Sequence, residues 1–214
     1  PVNLVISDVN SSYDSDQIKG SAFNTSYSDT SLPGFNAATY TSIISEKEGA
    51  NGKLYYIGDL STEGETGENT PTAKQITGLS YIRGLSPQEP TKQGSYYAAG
   101  AAYYGLTNDV NPNAIGAQNV RTLAVALASP LPEIKLRVGS GVVTLIPYAK
   151  SVGGDSISST KGQFQPTNTI VDYYVQSLTP TSGVFRINFE DVEQGADHDM
   201  DMIVRYEYQV DGNN

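Results

Sequence analysis

Residues 90–108 read PTKQGSYYAAGAAYYGLTN, and this stretch decides the fold that the sequence predicts. Small residues alternate with two tyrosine pairs seven positions apart, which favours a helix with Thr91 as its N-cap. Gly94 and Gly100 each weaken a helix by about 1 kcal/mol relative to alanine. We therefore expect this helix to pack tightly against a sheet.

Two apolar runs flank the predicted helix in the chain. Residues 4–6, LVI, end at Ser7 and Asp8, a pattern typical of a buried strand with an acidic residue at its carboxyl end. Residues 120–128, VRTLAVALA, form the second run. The order strand, helix, strand predicts an α/β sheet.

The pattern changes after Pro132. Two short apolar segments flank Gly139-Ser140-Gly141, which predicts a hairpin. Alternation in residues 202–210 places Val204 and Tyr206 on one face and Arg205 on the other. The predicted strands of this part are 134–138, 142–146, 170–175, 184–189 and 202–210. We therefore predict an α+β protein, with a partial α/β part in residues 1–130 and an antiparallel β part in residues 131–214.

Two stretches of the first part have the composition of loops. Residues 10–34 are rich in Ser, Thr, Asn and Asp, which predicts a long loop or insertion. Residues 53–58, KLYYIG, predict a strand, and residues 61–72, STEGETGENTPT, predict an exposed loop after it.

Composition excludes several classes of function. The chain has 23 acidic and 13 basic residues and a net charge of -10, which disfavours nucleic acid as a partner. It contains no cysteine and one histidine, His198, so a bound metal would have oxygen ligands. No run of about 18 apolar residues predicts a membrane span.

Asp197, Asp199 and Asp201 stand two residues apart in the sequence GADHDMD. Three carboxylates this close repel one another unless solvent, hydrogen bonds or a cation compensates, and Ca²⁺ accepts such ligands. The spacing does not fit an EF-hand, because Met202 stands where that loop needs glycine. The alternatives are a Ca²⁺ site and a solvated acidic turn before a strand.

A second group of oxygen-bearing side chains begins at Asp8 and continues through Asn10, Ser12, Asp14 and Asp16. This loop can hold a cation or a polar ligand. Asx turns, in which the side chains bond their own backbone, explain the same composition and are the favoured interpretation.

Catalytic patterns are absent from the sequence. Glu190 and Asp191 with Asp197 can be imagined as glycosidase carboxylates, and His198 with a serine as a hydrolase. Adjacent carboxylates on a strand point to opposite faces, and no GxSxG, P-loop or GxGxxG pattern follows a strand. We expect a protein that is not an enzyme.

Long segments of the chain resemble the PilY/PilC family of type IV pilus tip proteins. They include SDVNSSYDSDQ, IRGLSPQEPTKQGSYYAAGAAYYG, VRTLAVALASPLPEI and FRINFEDVEQGADHDMDMIVRYEY. The resemblance implies a partial von Willebrand factor A-like domain in residues 1–130. It also implies that Asp8 corresponds to the last aspartate of the metal-ion-dependent adhesion site of such domains, whereas the DxSxS element of that site is absent from this chain.

The resemblance implies an exported adhesin fragment at the pilus tip or outer cell surface, with a role in pilus assembly and attachment. Its implied partners are minor pilins or other pilus components and a host or abiotic surface. The cofactor expected from the acidic cluster is Ca²⁺. Two alternatives are a structural or polymerising extracellular subunit and, less favoured, a glycan-binding domain that uses its tyrosine pairs.

Overall fold

The computed structural model describes residues 1–7, 15, 17–23, 32–60, 70–85, 94–127, 132–147, 150–153, 163–166, 169–190 and 202–212. These residues fall into two compact units, one within Pro1–Ser129 and one within Pro130–Gly153 and Gln163–Asn214. The combination of α-helices with mostly antiparallel strands is consistent with the predicted α+β class.

The elements of the first unit are β1 (Val2–Ser7), α1 (Ala37–Lys47), β2 (Leu54–Leu60), β3 (Thr72–Gln75), a 3-10 turn (Leu79–Tyr81), β4 (Ile82–Leu85), α2 (Tyr97–Thr107) and β5 (Arg121–Ala126). Those of the second are β6 (Ile134–Val138), β7 (Gly141–Leu145), β8 (Lys150–Gly153), β9 (Gln163–Pro166), β10 (Thr169–Leu178), β11 (Ser182–Glu190) and β12 (Met202–Gln209).

β1 and β5 form a parallel pair in which Val2 lies opposite Arg121 and Ser7 opposite Ala126. The predicted order of strand, helix and strand is therefore confirmed. The prediction that β1 is buried is wrong, because all six of its residues are exposed. An apolar run indicates that a strand is stable when other residues pack on it, but it does not show which part of a polypeptide those residues come from.

The tyrosine-rich segment is a helix, but it begins later than predicted. Tyr96 is the N-cap of α2, and Thr91 lies outside the described residues. Gly94 precedes the helix, and its carbonyl accepts a hydrogen bond of 2.9 Å from the amide of Gly84 in β4. This bond to a strand holds Gly94 outside the helix.

Helix α1 was not predicted from the sequence, and it is the main partner of α2. Asn36 caps it, since the Asn36 side chain accepts a hydrogen bond of 2.9 Å from the amide of Thr39. A Cβ added at Gly100 would lie 3.0 Å from the Thr41 nitrogen and 3.1 Å from the Ala37 oxygen. Gly100 thus packs against α1. The predicted contact of the helix with a sheet is made with β5, but the close approach at Gly100 is to another helix.

Aromatic side chains fill the space around the two helices. Tyr97 and Tyr104 are 0% and 1% exposed, and Phe35 meets Tyr104 edge-on with ring centroids 5.2 Å apart. The Tyr97 hydroxyl donates to the Ser80 carbonyl at 2.7 Å, and the Tyr104 hydroxyl donates to the Pro33 carbonyl at 2.7 Å. Both buried hydroxyls are therefore satisfied.

An antiparallel sheet in the order β3-β2-β4 completes the first unit. Its core is formed by Ala50, Ile57, Ile76, Leu79 and Ile82. Residues 61–69 of the predicted loop lie outside the described residues. Thr70 and Pro71 are buried and Thr72 begins β3, so the exposed loop cannot extend to residue 72.

Lys74 of β3 is buried, and its ammonium is bonded to carbonyls of its own sheet region. Its ammonium donates to the carbonyls of Ile57, Gly58 and Thr70, and the residue is 7% exposed. A buried ammonium requires such partners, and these bonds join the start of β3 to β2.

The second unit is antiparallel throughout its described strands, as predicted. β10, β11 and β12 form one sheet, while β6 pairs with β7 and β8 with β9. Phe185, Ile187 and Phe189 of β11 are at most 2% exposed. In β12 half-buried and exposed residues alternate, which confirms the predicted faces of Val204 and Arg205.

Aromatic rings stack across the buried face of this sheet. Tyr173 and Tyr208 lie on either side of Phe185, with centroids 5.9 Å and 5.8 Å from it. Gly183 lies opposite Tyr208, and a Cβ added there would come within 2.8 Å of the tyrosine Cζ. The tyrosine ring therefore covers the backbone of the glycine, an arrangement known to stabilise glycines in sheets.

We expect Gly100→Ala to lower the free energy of unfolding by about 1–2 kcal/mol, although alanine favours a helix by about 1 kcal/mol, because its methyl group would overpack the α1 contact. Gly105→Ala is the matched control. Its Cβ would meet its nearest neighbour, the Val120 oxygen, at 3.4 Å, so this variant should be neutral or slightly more stable. Denaturant unfolding measures both. Equal stabilities of the two variants would contradict the close approach.

Candidate functional site

The residues predicted to bind a metal ion, Asp8, Asp197, Asp199 and Asp201, all lie outside the described residues. Asp191 and His198, considered for catalysis, also lie outside them. Within the described part of the chain, no group of three or more His, Asp or Glu side chains is placed to hold a metal ion. The Ca²⁺ site therefore stays a prediction.

The tyrosine pairs of α2 do not form an open binding platform. Tyr97 and Tyr104 are core residues, and the Tyr97 hydroxyl also accepts a hydrogen bond of 2.8 Å from the amide of Ala22. Burial raises the pKa of Tyr104 above its usual value, and nearby Tyr40 and Asp109 raise this pKa further. Sugar stacking on these two rings would require the core to open.

The β1–β5 pair presents an uncovered apolar surface, which we call the open face. Side chains of alternate residues on the two strands share it, because the register places Leu4 opposite Leu123 and Ile6 opposite Val125. Its six large apolar residues are between 49% and 66% exposed: Val2, Leu4, Ile6, Leu123, Val125 and Leu127. Parallel strands are almost always covered on both faces, so this surface has the character of an interface.

The other face of the same strand pair borders a groove. Val5 and Ala124 line it from the strands, and Ala98 and Ala102 line it from α2. The groove has a volume of about 590 Å³. Small side chains on the helix leave this space open, and its lining is mainly apolar. The strand pair thus has apolar surface on both sides.

A second cavity, of about 740 Å³, lies beside α1 and is more polar. Its polar lining residues are largely used by the fold. Asn36 caps α1, the Ser42 and Ser80 hydroxyls are 2.8 Å apart, and the Asn51 side chain accepts a hydrogen bond from the Ser45 hydroxyl. Groups that already bond one another are poorly suited to bind a ligand, so the open face is the stronger candidate site.

Sequence reasoning located both strands of the open face but not their exposure. The signal was present, because residues 4–6 and 123–128 are continuous apolar runs rather than alternating ones. Continuous runs are typical of parallel strands buried on both faces. In this chain one face of the β1–β5 pair borders α2 and the other face is exposed. The apolar sequence pattern therefore predicts burial of both faces, but the described residues cover only one of them.

Comparison with known proteins identifies relatives over nearly the whole chain. A family model described as "PilY1 homolog, second domain" matches residues 1–105, and one described as "PilY1 homolog, beta-sandwich" matches residues 136–214. A Xylella fastidiosa protein named type IV pilus biogenesis factor PilY1 homolog is 43% identical over 234 residues, covering 100% of this chain and 15% of the relative. No solved structure matches. The chain belongs to the PilY1-type family.

Proposed function

We propose that this chain is one part of a type IV pilus biogenesis factor that acts at the pilus tip or the outer cell surface. The observation that carries the proposal is the match of 43% identity over all of this chain to a protein of that name. The chain spans about 15% of the length of that relative. The activity of the whole factor is therefore proposed for the larger protein, with this chain as one of its binding parts.

The proposed role is binding rather than catalysis, with minor pilins or other pilus components as partners and attachment to host or abiotic surfaces as the outcome. The open face supports binding over catalysis, because a contiguous exposed apolar surface is typical of protein interfaces, whether another segment of the same polypeptide or another protein covers it. No helix in the described part of the chain is long and apolar enough to cross a membrane.

The first unit is proposed to be a partial von Willebrand factor A-like domain. Two observations support this: β1 and β5 are parallel, and α2 lies between them in the chain and contacts β5. Asp8 directly follows β1, where the family resemblance places an adhesion-site aspartate. In the full-length protein, the open face would then be covered by another segment of the same polypeptide.

A structural or polymerising subunit is the alternative that the open face also favours, since two copies of this chain could cover each other. Light scattering after size-exclusion chromatography distinguishes a module of a larger protein from a polymerising subunit. A monomer at all concentrations supports a module of a larger protein, whereas assemblies that grow with concentration support a subunit.

We expect Leu123→Asp in the full-length protein to abolish most surface pili, because an unpaired carboxylate in a covered apolar interface costs several kcal/mol. Leu54→Asp is the matched control. Leu54 is 71% exposed at the start of β2, away from the open face, and should tolerate the charge. Pilin sheared from cells, measured by immunoblot beside the level of the variant protein, gives the result. Normal piliation by Leu123→Asp would contradict the proposed interface.

The proposed Ca²⁺ dependence predicts a shift in thermal stability. Binding to the folded chain alone would stabilise it by about 2.7 kcal/mol at a hundredfold excess over Kd. The midpoint should rise from chelator to added Ca²⁺ in the wild type and in Asp211→Asn, which removes a charge outside the cluster. Asp199→Asn should lose most of this rise. Identical wild-type midpoints with chelator and with added Ca²⁺ would contradict the Ca²⁺ site and favour a solvated acidic turn at Asp197, Asp199 and Asp201.

A further inference from the structure

Three residues form a row across the exposed side of the β10–β11–β12 sheet, which we call the outer row. Tyr174 lies opposite Arg186, and Arg186 lies opposite Arg205. All three side chains are exposed. Their neighbours Phe185 and Ile187 point to the other face and are buried. The outer row is therefore fixed by the same register that forms the core of the sheet.

Placing two arginines directly opposite each other on antiparallel strands is unfavourable, because like charges repel. Arg205 is compensated by Glu207, whose carboxylate lies 2.6 Å from its guanidinium. Arg186 forms no ion pair with any described residue. In a chain of net charge -10, an arginine that has no ion pair among the described residues and lies beside a second arginine is well placed to receive an anion from outside.

The charges around the outer row limit the kind of anion. Asp172 of β10 and Glu207 of β12 share the exposed side of the sheet, since they lie opposite Asn188 and Val184 of β11. These carboxylates would repel a doubly charged phosphate. A singly charged carboxylate fits better, and the planar guanidinium can bind it through two parallel hydrogen bonds.

Tyr174 adds an apolar platform beside the arginines. It is 59% exposed, so its ring is open to solvent. The flat face of a sugar ring can stack on such a tyrosine while its carboxylate reaches the adjacent guanidinium. A peptide would instead favour an edge strand, where main-chain hydrogen bonds are available, and Arg186 is on the central strand.

We propose that the outer row binds a uronic acid unit of an acidic polysaccharide, with Arg186 holding the carboxylate and Tyr174 stacking on the sugar ring. This inference rests on the proposed role in surface attachment and names the class of surface ligand. The glycan would therefore bind at exposed Tyr174 of β10 and not at the buried Tyr97 and Tyr104 of α2.

The test is calorimetric titration of the chain with an alginate oligosaccharide. We expect saturable binding that Arg186→Gln weakens about tenfold or more, the size expected for a charge-assisted hydrogen bond. Tyr174→Ala should weaken it to a similar extent. Arg137→Gln, at an exposed position of β6, is the matched control and should bind like the wild type. Unchanged circular dichroism and thermal midpoints show that each variant is folded.

Two further ligands test whether the site requires a carboxylate and whether it requires a sugar. The methyl ester of the same oligosaccharide should not bind, because it lacks the charge. Binding of the wild type to poly-glutamate but not to alginate would overturn the sugar and indicate an acidic polypeptide. No binding of alginate, or equal binding by wild type, Arg186→Gln and Tyr174→Ala, would overturn the outer row as a site.

An assay in cells separates this inference from the proposed function. Full-length Arg186→Gln should assemble normal numbers of pili but attach poorly to alginate-coated surfaces. Normal attachment to that coating would overturn the sugar site and leave the role in pilus biogenesis intact. Loss of pili in this variant would instead contradict the assignment of Arg186 to ligand binding alone.

Discussion

The close approach of α1 and α2 at Gly100 is the contact on which the rest of the first unit depends. The Gly100 position has no room for a side chain, because the Thr41 backbone and the Ala37 carbonyl occupy that space. On one side, α1 joins the antiparallel sheet region, where the Ser45 hydroxyl accepts a hydrogen bond of 3.0 Å from the Leu79 amide. On the other, α2 contacts β5. The contact at Gly100 thus joins α1, which packs on the β3-β2-β4 sheet region, to α2, which contacts the β1–β5 pair.

The same steric principle recurs in the second unit, where Gly183 lies under the ring of Tyr208. In both units a glycine permits a close contact that stabilises the fold. Each unit also has an exposed surface that is a candidate for binding. The open face of β1 and β5 suits an apolar partner, and the outer row around Arg186 suits a polar, charged one. The proposed factor would therefore cover the open face within the larger protein and use the outer row for attachment.

Alternation and apolar runs are local signals, and the strands predicted from them agree with the structure, whereas β3, β4, β8 and β9 were not predicted. The hairpin of β6 and β7 and the faces of β12 agree with the prediction. The start of α2 was misplaced, since Gly94 precedes the helix and its carbonyl is bonded to Gly84 of β4. Helix α1 was missed because its Thr and Ser residues are weak helix formers that tertiary contacts bury. The candidate interface was not predictable as such, since exposure depends on what covers a strand.

The most direct measurement of the central claim, that the open face is an interface inside the larger protein, is thiol labelling of Leu123→Cys. The chain has no natural cysteine, so the label reports one position. Leu123 is 50% exposed in the isolated chain and should react rapidly there with a maleimide. The account predicts at least about tenfold slower labelling in the folded full-length protein, since local opening would then limit access. Equally rapid labelling in both proteins would contradict it.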